Sequence, residues 1–403
     1  MEIDGGQLFV HMLSTLPNVI ASGEISIGAA TIGSGSVGFG GPSMLALSRV
    51  ILRRMGQRPG SMALLVLGWV VVANCQSSGV PGVEWKQLAS PEQAGWPAEK
   101  LASIHAYVEQ LGSTSAMIVQ HGQVVAEWGD VAHRSNLHSC RKSLLNSLIG
   151  IAVAEGKINL DDTLEKLGID DKKPSLTLEE KQATVRDLLE ARSGVYHHAA
   201  YETTGMAERR PTRGSHAPGT FWYYNNWDFN ALGWIYERAA GTKIFEAFYR
   251  EIAQPIGMQD FRPGDGHYIA VSDSRFPAYI FEMSARDFAR FALLYLHGGK
   301  WNDIQVVPEE WVSASIRPYS DTESGGYGYL WWTGGAASGT PPRIRFPRGS
   351  FWAEGHLGQY AVVVPSLDLI VVNRVDEKNT KRNVNKRQMA QMVRLVVDAA
   401  PKN

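Results

Sequence analysis

The stretch HSCRKSLLNSLIG, residues 138–150, decides how the rest of this chain is interpreted. Ser139 and Lys142 are three residues apart, so a helix places both side chains on one face, one turn apart. Apolar residues occur nearly all the way round the turns that follow, which predicts a buried helix rather than an amphipathic one. These residues are Leu144, Leu145, Leu148, Ile149, Ile151, Ala152 and Ala154.

A lysine in the first turn of a buried helix is costly to keep as a cation. Burial lowers the pKa of a lysine amine, and a neutral amine within reach of a serine hydroxyl can take its proton. We therefore interpret Ser139 as a nucleophile and Lys142 as its base. The alternative is a serine near a helix start and a lysine whose amine reaches solvent. A Ser-x-x-Lys match arises by chance on the order of once in a chain this long, so the pattern needs support from other residues.

The composition is ordinary for a soluble globular enzyme, with 403 residues, of which 44% are hydrophobic and 20% charged. This length predicts two domains, or one large domain in two parts. A net charge of −1 gives no reason to expect nucleic acid or an anionic membrane surface as a partner. The 12 Trp and 14 Tyr residues fit a cleft lined by aromatic rings or, equally, a packed core.

No residue pattern indicates a cofactor or a metal. The two cysteines give no disulfide framework, and Cys140, inside the predicted helix, is interpreted as an inert packing residue. His197 and His198 have no neighbours at metal-ligand spacing. Residues 33–38 match the dinucleotide fingerprint G-x-G-x-x-G, but no helix pattern opens after them and no acidic residue lies roughly 20 positions later, so we reject the match.

The first 82 residues are predicted to lie outside the folded domain. Residues 1–54 are rich in Gly, Ser and Ala and are interpreted as a low-complexity extension. Residues 55–82 are interpreted as a signal or anchor segment and a linker, because arginines precede an apolar run shorter than the ~20 residues that span a bilayer. We expect an exported protein, periplasmic or membrane-anchored through this segment, with Met55 or Met62 as the true start and Cys75 as a candidate lipoprotein site. An uncleaved membrane anchor is the alternative.

The folded part is predicted to run from residue 83 to residue 403. Strand patterns occur towards both ends and helical patterns lie between them, which predicts one α/β domain interrupted by a helical insertion. The α/β part comprises about 83–160 and 270–403, and the insertion about 161–269. Within the insertion, the polar residues 196–220 are interpreted as a long loop over the site.

Three short motifs follow one another along this folded part: Ser139-x-x-Lys142, Tyr224-x-Asn226 and His356-x-Gly358. Their order and spacing resemble the serine β-lactamase and penicillin-binding protein superfamily. The likeness is strongest to the class C β-lactamase-related branch, which includes esterases, D-amino-acid peptidases and 6-aminohexanoate-oligomer hydrolases. The resemblance implies a β-lactamase/transpeptidase-like α/β (α+β) fold, with an antiparallel sheet flanked by helices and a mostly helical subdomain.

The resemblance also implies roles for these residues. Ser139 attacks a carbonyl carbon and becomes acylated, while Lys142 takes its proton. Tyr224 relays a proton as a phenolate-like base and then protonates the leaving group. A tyrosine with a pKa near 10 can do so only beside cations, which Lys142 and His356 would supply.

Two further residues complete the implied site. Asn226 is expected to hold Lys142 or the substrate amide by hydrogen bonds, although it could also cap a helix. The tetrahedral oxyanion needs two fixed N–H donors, and the resemblance assigns them to the backbone of Ser139 and Gln359. Gly358 then lets the substrate approach the strand that borders the cleft.

The third motif departs from the superfamily pattern, which usually carries Lys, then Thr or Ser, then Gly. His356 is at most partly charged near pH 7, and Leu357 offers no hydroxyl to a substrate carboxylate. We therefore expect poor turnover of penicillins and better turnover of esters or amides. His356 could instead be a structural histidine at a strand end. Three tryptophans, Trp331, Trp332 and Trp352, are expected either to wall an apolar acyl pocket or to lie in the core.

The sequence thus predicts a serine hydrolase that cleaves a small-molecule ester or amide through an acyl-enzyme on Ser139. A catalytically idle binding or scaffold protein at the membrane is the alternative. The presence of Lys142, Tyr224 and Asn226 beside Ser139 in the motif set argues against an idle protein. An α/β-hydrolase is a third option, but we find no G-x-S-x-G elbow.

Overall fold

The computed structural model describes residues 79–172 and 174–401. The predicted extension, residues 1–54, and the signal or anchor segment as far as residue 78 lie outside the described residues. Within the described part, no helix is both long enough and apolar enough to cross a membrane.

The described chain alternates short strands and helices. Its strands are β1 (Ser115–Gln120), β2 (Gln123–Gly129), β3 (Ser135–Asn136), β4 (Gly266–Ile269), β5 (Ala278–Met283), β6 (Lys300–Trp301), β7 (Ile304–Gln305), β8 (Ser320–Thr322), β9 (Gly325–Tyr327), β10 (Trp332–Thr333), β11 (Phe351–Gly355), β12 (Gln359–Val364) and β13 (Leu369–Arg374). Its α-helices are α1 (Ala98–Leu111), α2 (Arg141–Ala154), α3 (Val185–Leu189), α4 (Thr204–Glu208), α5 (Asn226–Ala240), α6 (Ile244–Phe248), α7 (Ala285–Leu296), α8 (Glu309–Ser315) and α9 (Lys386–Ala399).

Eight strands form one antiparallel sheet in the order β2-β1-β13-β12-β11-β10-β9-β8. The register sets Ser115 of β1 opposite Arg374 of β13, so strands from the two ends of the domain are direct neighbours. A smaller sheet has the order β3-β5-β4, and β6 pairs with β7. The predicted fold class, an antiparallel sheet flanked by helices with a mostly helical subdomain, is confirmed.

The central strands are buried on both faces, which is why β1, β12 and β13 are nearly continuous apolar runs. Along β13, Ile370 and Val372 belong to the core shared with α2, α5 and α7, whereas Leu369 and Val371 belong to the core shared with α1 and α9. The sheet is therefore a middle layer, and one of its helical layers carries the Ser-x-x-Lys motif.

Helix α2 is buried along most of its length, so the prediction of a buried helix after Ser139 is confirmed. Its close packing is clearest at Gly150, which lies against the indole of Trp311. A Cβ at this position would come within 2.2 Å of Cδ1 of Trp311. The helix that carries Lys142 is thus fixed by contacts along its whole length.

Helix α5 begins at Asn226, the last residue of the second motif. Its N-cap is Asn225, whose Oδ1 accepts the backbone N–H of Asp228 at 2.9 Å. The interpretation of Asn226 as the N-cap is therefore wrong by one residue. The side chain of Asn226 is left available for contacts outside the helix.

Candidate active site

A short 3₁₀ turn, His138–Cys140, carries the serine and leads directly into α2. Oδ1 of Asn136 accepts the backbone N–H of His138 at 2.8 Å, and His138 adopts a left-handed φ of 48°. Ser139 lines a cleft of about 980 Å³. Nζ of Lys142 lies 2.7 Å from Oγ of Ser139, the distance of a direct hydrogen bond. The two atoms are therefore placed for proton transfer.

Lys142 is almost fully buried, with 2% of its surface exposed. Burial first, and the charge of Arg141 second, lower the pKa of its amine well below the usual value. Nζ also lies 5.0 Å from the ring centres of both Tyr224 and Phe229, and these ring faces act in favour of the ammonium form. Burial outweighs them, so the amine loses its proton more readily than an ordinary lysine does.

Tyr224 lines the same cleft, with its ring centre 5.4 Å from that of Trp332 and 5.8 Å from that of Tyr327. Burial raises the pKa of its phenol, while a hydrogen bond with Ser139 and the charge of Arg141 act in the opposite direction. The phenol is therefore protonated at neutral pH and lies beside the serine. In this arrangement it can donate a proton.

Asn226 is placed differently from the expectation. Its Nδ2 donates to the carbonyl oxygens of Tyr201 at 2.5 Å and Ala200 at 3.4 Å, so its amide nitrogen holds the backbone just before α4 rather than Lys142. The predicted loop 196–220 contains this short helix, Thr204–Glu208. Its Oδ1 is buried without a partner among the described residues. An acceptor left in this state is costly unless a donor reaches it, which keeps a hydrogen bond to substrate open.

Gln359 begins β12, directly behind the nucleophile turn. Its carbonyl oxygen accepts a hydrogen bond from Sγ of Cys140 at 3.3 Å, which brings the start of β12 against the residue next to Ser139. Its side chain is engaged elsewhere: Oε1 accepts from Nε of Arg374 at 2.7 Å, and Nε2 donates to the Val375 carbonyl at 2.6 Å. Only the backbone N–H of Gln359 is therefore a candidate oxyanion donor.

The third motif forms a tight turn between β11 and β12. His356 is exposed in the cleft, and its ring meets that of His138 edge-on at 5.7 Å. Leu357 has a left-handed φ of 65°, and Gly358 has a φ of 110°, a conformation that suits only glycine. The backbone conformation of this turn, rather than its side chains, therefore sets the position of the start of β12 at the site.

The cleft has a volume of about 980 Å³ and is largely aromatic on the side of Tyr224. Trp332 is part of its wall, as expected, but Trp331 and Trp352 are fully buried. The expectation that all three wall an acyl pocket is therefore wrong, and the alternative of a core position holds for two of them. Trp331 immediately precedes β10 and Trp332 begins it. Successive side chains along extended backbone point in opposite directions, so the ring of Trp331 is buried while that of Trp332 lies in the cleft wall.

Two cleft residues were not foreseen from the sequence. Nζ of Lys386, at the start of α9, lies 3.2 Å from Oε2 of Glu354 and 3.9 Å from the ring centre of Trp332. Trp352 donates its Nε1–H to the same Glu354 oxygen at 3.0 Å. Neither Lys386 nor Glu354 lies in a motif. They meet because the start of α9 lies beside β11. The charges largely neutralise each other within the wall.

In residues 79–172 and 174–401, no group of three or more His, Cys, Asp or Glu side chains is arranged to hold a metal ion. The groups gathered at Ser139 are instead an amine, a phenol and backbone amides. These are the elements of nucleophilic acyl transfer.

Comparison with known proteins concerns the family and the fold of the chain. A family model described as Beta-lactamase matches residues 102–391. An uncharacterized protein of Alkalihalophilus pseudofirmus is 23% identical over 308 residues, 67% of this chain and 86% of that protein. A Bacillus anthracis structure described as a 6-aminohexanoate-dimer hydrolase has a TM-score of 0.57 and 18% identity, covering 79% of this chain and 87% of that one. A Bacteroides dorei structure described as a beta-lactamase has a TM-score of 0.54 and 17% identity, covering 75% and 99%. At these identities the structural matches show a shared fold.

Proposed function

The chain belongs to the beta-lactamase family, and on that premise we propose that it is a serine hydrolase that cleaves an ester or amide bond through an acyl-enzyme on Ser139. The observation that carries the proposal is the 2.7 Å separation between Nζ of Lys142 and Oγ of Ser139. Because burial lowers the pKa of Lys142, its amine loses a proton more readily than an ordinary lysine, and it is the proposed neutral base for the serine nucleophile.

Acylation begins when Oγ of Ser139 attacks the substrate carbonyl carbon and its proton moves to Nζ of Lys142. A C–O bond forms, and the carbonyl oxygen becomes an oxyanion. The backbone N–H groups of Ser139 and Gln359 are the proposed donors to that oxyanion, because the start of β12 lies against the nucleophile turn. Fixed donors of this kind lower the barrier without reorganising during the reaction.

Expulsion of the leaving group needs a proton, and Tyr224 is the proposed donor. Its raised pKa keeps the phenol protonated until the leaving group develops negative charge. The ammonium of Lys142 then returns a proton to Tyr224, which leaves Lys142 neutral again. Water cleaves the acyl-enzyme by the same transfers in reverse order, and Ser139 is restored.

The substrate proposed is an ester or amide with an apolar or aromatic acyl part. The aromatic wall formed by Tyr224 and Trp332 supports this choice, because ring faces bind apolar groups well. Leu357 offers no hydroxyl to a substrate carboxylate, and Lys386 is already paired with Glu354. We therefore propose that β-lactams are poor substrates.

The proposal is tested by labelling the purified protein with a fluorophosphonate probe, which reacts with activated serines. We expect one labelled site, lost in Ser139→Ala. Ser143→Ala is the matched control, because Ser143 lies one residue beyond Lys142 and donates to the Leu330 carbonyl at 2.8 Å inside the core. Ser143→Ala should keep full labelling.

Absence of labelling in the native protein would overturn the proposal and favour the idle binding protein. A panel of p-nitrophenyl esters, D-aminoacyl anilides, 6-aminohexanoate dimer and nitrocefin then separates ester from amide cleavage. Turnover that persists in Ser139→Ala would likewise contradict an acyl-enzyme on this serine.

A further inference from the structure

Arg141, the residue before the motif lysine, is fully buried inside the protein. Its Nη2 donates to Oδ1 of Asn230 at 3.1 Å, and its guanidinium lies 4.4 Å from the ring centre of Tyr279. Its Nε and Nη1 have no hydrogen-bond partner among the described residues. The guanidinium is therefore bonded to no carboxylate, although arginine keeps its charge in proteins.

Such a residue is expensive to retain. An unpaired charge in a protein interior lacks the solvation that water would give it, and its removal often stabilises a fold. Arg141 makes one hydrogen bond and leaves two buried nitrogens unsatisfied, so its contacts contribute little to the stability of the fold. Its chain neighbour Lys142 is a second buried group able to carry positive charge. Two adjacent buried cations without a counter-ion are unfavourable, and only the lysine can lose its proton.

We propose that Arg141 is a positioning residue whose fixed charge adds to the effect of burial and so helps to keep Lys142 unprotonated, so that the amine acts as a base. The inference rests on the proposed function and deepens it. Arg141 touches neither the serine nor the substrate, and it acts through Lys142.

The other ionisable groups near the amine supply no negative charge. Cys140 is fully buried, and burial raises the pKa of its thiol, which stays protonated. The phenol of Tyr224 is likewise neutral. His138 is buried, and burial together with nearby cations lowers its pKa to about 4, so its imidazole is neutral at pH 7. None of these groups offsets Arg141.

The charged groups on the neighbouring strands do not offset it either. Arg374 on β13 is another buried guanidinium and adds positive charge on the far side of the nucleophile turn. Glu354 on β11 is paired with Lys386. On α5, Phe229 contacts the amine and Asn230 accepts from Arg141, and neither residue carries a charge.

The test is the pH dependence of the rate at which a fluorophosphonate labels Ser139. In the native protein the rate should rise with pH through a midpoint well below 10, because Lys142 must be neutral. In Arg141→Met we expect the midpoint to move to higher pH by about one to two units, with the limiting rate at alkaline pH retained. At pH values well below both midpoints, the labelling rate of the variant is then about ten- to a hundredfold lower than that of the native protein.

Arg290→Met is the matched control. Arg290 on α7 is equally buried, and its partners are the carbonyl oxygens of Ile256, Gly82 and Val83, all outside the cleft. This variant loses a buried guanidinium of the same kind, so any general destabilisation is shared. Its midpoint should equal that of the native protein.

An unchanged midpoint in a folded Arg141→Met variant would overturn the inference while leaving the proposed function intact. Where that variant does not fold, Arg141→Gln can keep a bond to Asn230 and should show the same shift. A native midpoint near 10 would also overturn it, because Lys142 would then be an ordinary lysine. Absence of labelling at every pH would instead overturn the proposed function.

Discussion

Replacing Gly358 by alanine tests whether the third motif is built by backbone conformation. Gly358 has a φ of 110°, in a region that an L-residue with a Cβ rarely occupies. It immediately precedes Gln359, whose backbone N–H is the proposed second oxyanion donor. A disturbance at Gly358 should therefore affect both the stability of the fold and the reactivity of Ser139.

Two separate costs follow from the structure. Holding alanine at this φ costs about 1–3 kcal/mol in backbone strain. The added Cβ would also lie 2.7 Å from Cβ of Val384 and 3.0 Å from its backbone nitrogen, and Val384 is 1% exposed and has no room to move away. Overpacking of this kind costs about 1–3 kcal/mol more. We expect Gly358→Ala to lower the free energy of unfolding by about 2–6 kcal/mol.

Urea unfolding and the fluorophosphonate labelling rate of Ser139 measure the two effects. Gly349→Ala is the matched control, because Gly349 also has a left-handed φ, of 78°, but nothing lies within 4 Å of its Cβ position. That control should show the strain cost alone and label at the native rate. Displacement of the Gln359 N–H should slow labelling of Gly358→Ala by about 10²–10³-fold. Equal destabilisation of the two variants, with native labelling rates in both, would refute the reasoning.

Three other predictions concern stability and substrate. Burial raises the pKa of Asp228 to about 8, although it accepts a hydrogen bond from Oγ of Ser193 at 2.5 Å. Because this pKa lies above the unfolded value of about 3.9, native stability should fall as the pH rises from about 4 to about 8. Asp228→Asn should flatten that slope in unfolding measurements at pH 5 and pH 8, and an identical slope would contradict the assignment. Gly150→Ala should lower the free energy of unfolding by about 1–3 kcal/mol, because its Cβ would come within 2.2 Å of Trp311. If thermal unfolding shows native stability for this variant, α2 and α8 can move apart at little cost and the prediction is wrong. The purified protein should hydrolyse p-nitrophenyl esters faster than nitrocefin, and efficient nitrocefin turnover would contradict the argument from Leu357.

The parts of the site that could be predicted from sequence are those set by local chain geometry. Ser139 and Lys142 are one helical turn apart whatever the rest of the chain does, and the apolar run after them identifies a buried helix. Tyr224 could be placed near them only through the resemblance, because it lies 82 positions after Lys142 in the sequence. The central strands were also recognisable, since burial on both faces leaves continuous apolar runs.

The parts that were missed depend on contacts between distant segments. Lys386 meets Glu354 only because the first turn of α9 lies beside β11, and no periodicity in either segment indicates that contact. Trp331 and Trp332 are adjacent, so a shift of one residue in strand register exchanges the buried ring with the ring in the cleft. The N-cap of α5 moved by one residue for a similar reason, because two successive asparagines are equally good caps in sequence.

The charges around the nucleophile explain why burial, rather than ion pairing, controls this site. Arg374 donates to Oε1 of Gln359, to Oγ of Ser135 and to three backbone carbonyl oxygens, so dipoles solvate its charge without neutralising it. Arg141 has even fewer partners. The guanidinium of Arg141 therefore carries a positive charge that no bonded carboxylate neutralises, which costs stability before any substrate binds. The proposed reaction creates new negative charge there, on the oxyanion and on the phenolate of Tyr224. The field of the two arginines then stabilises the transition state more than the resting enzyme, which is the condition for a faster reaction.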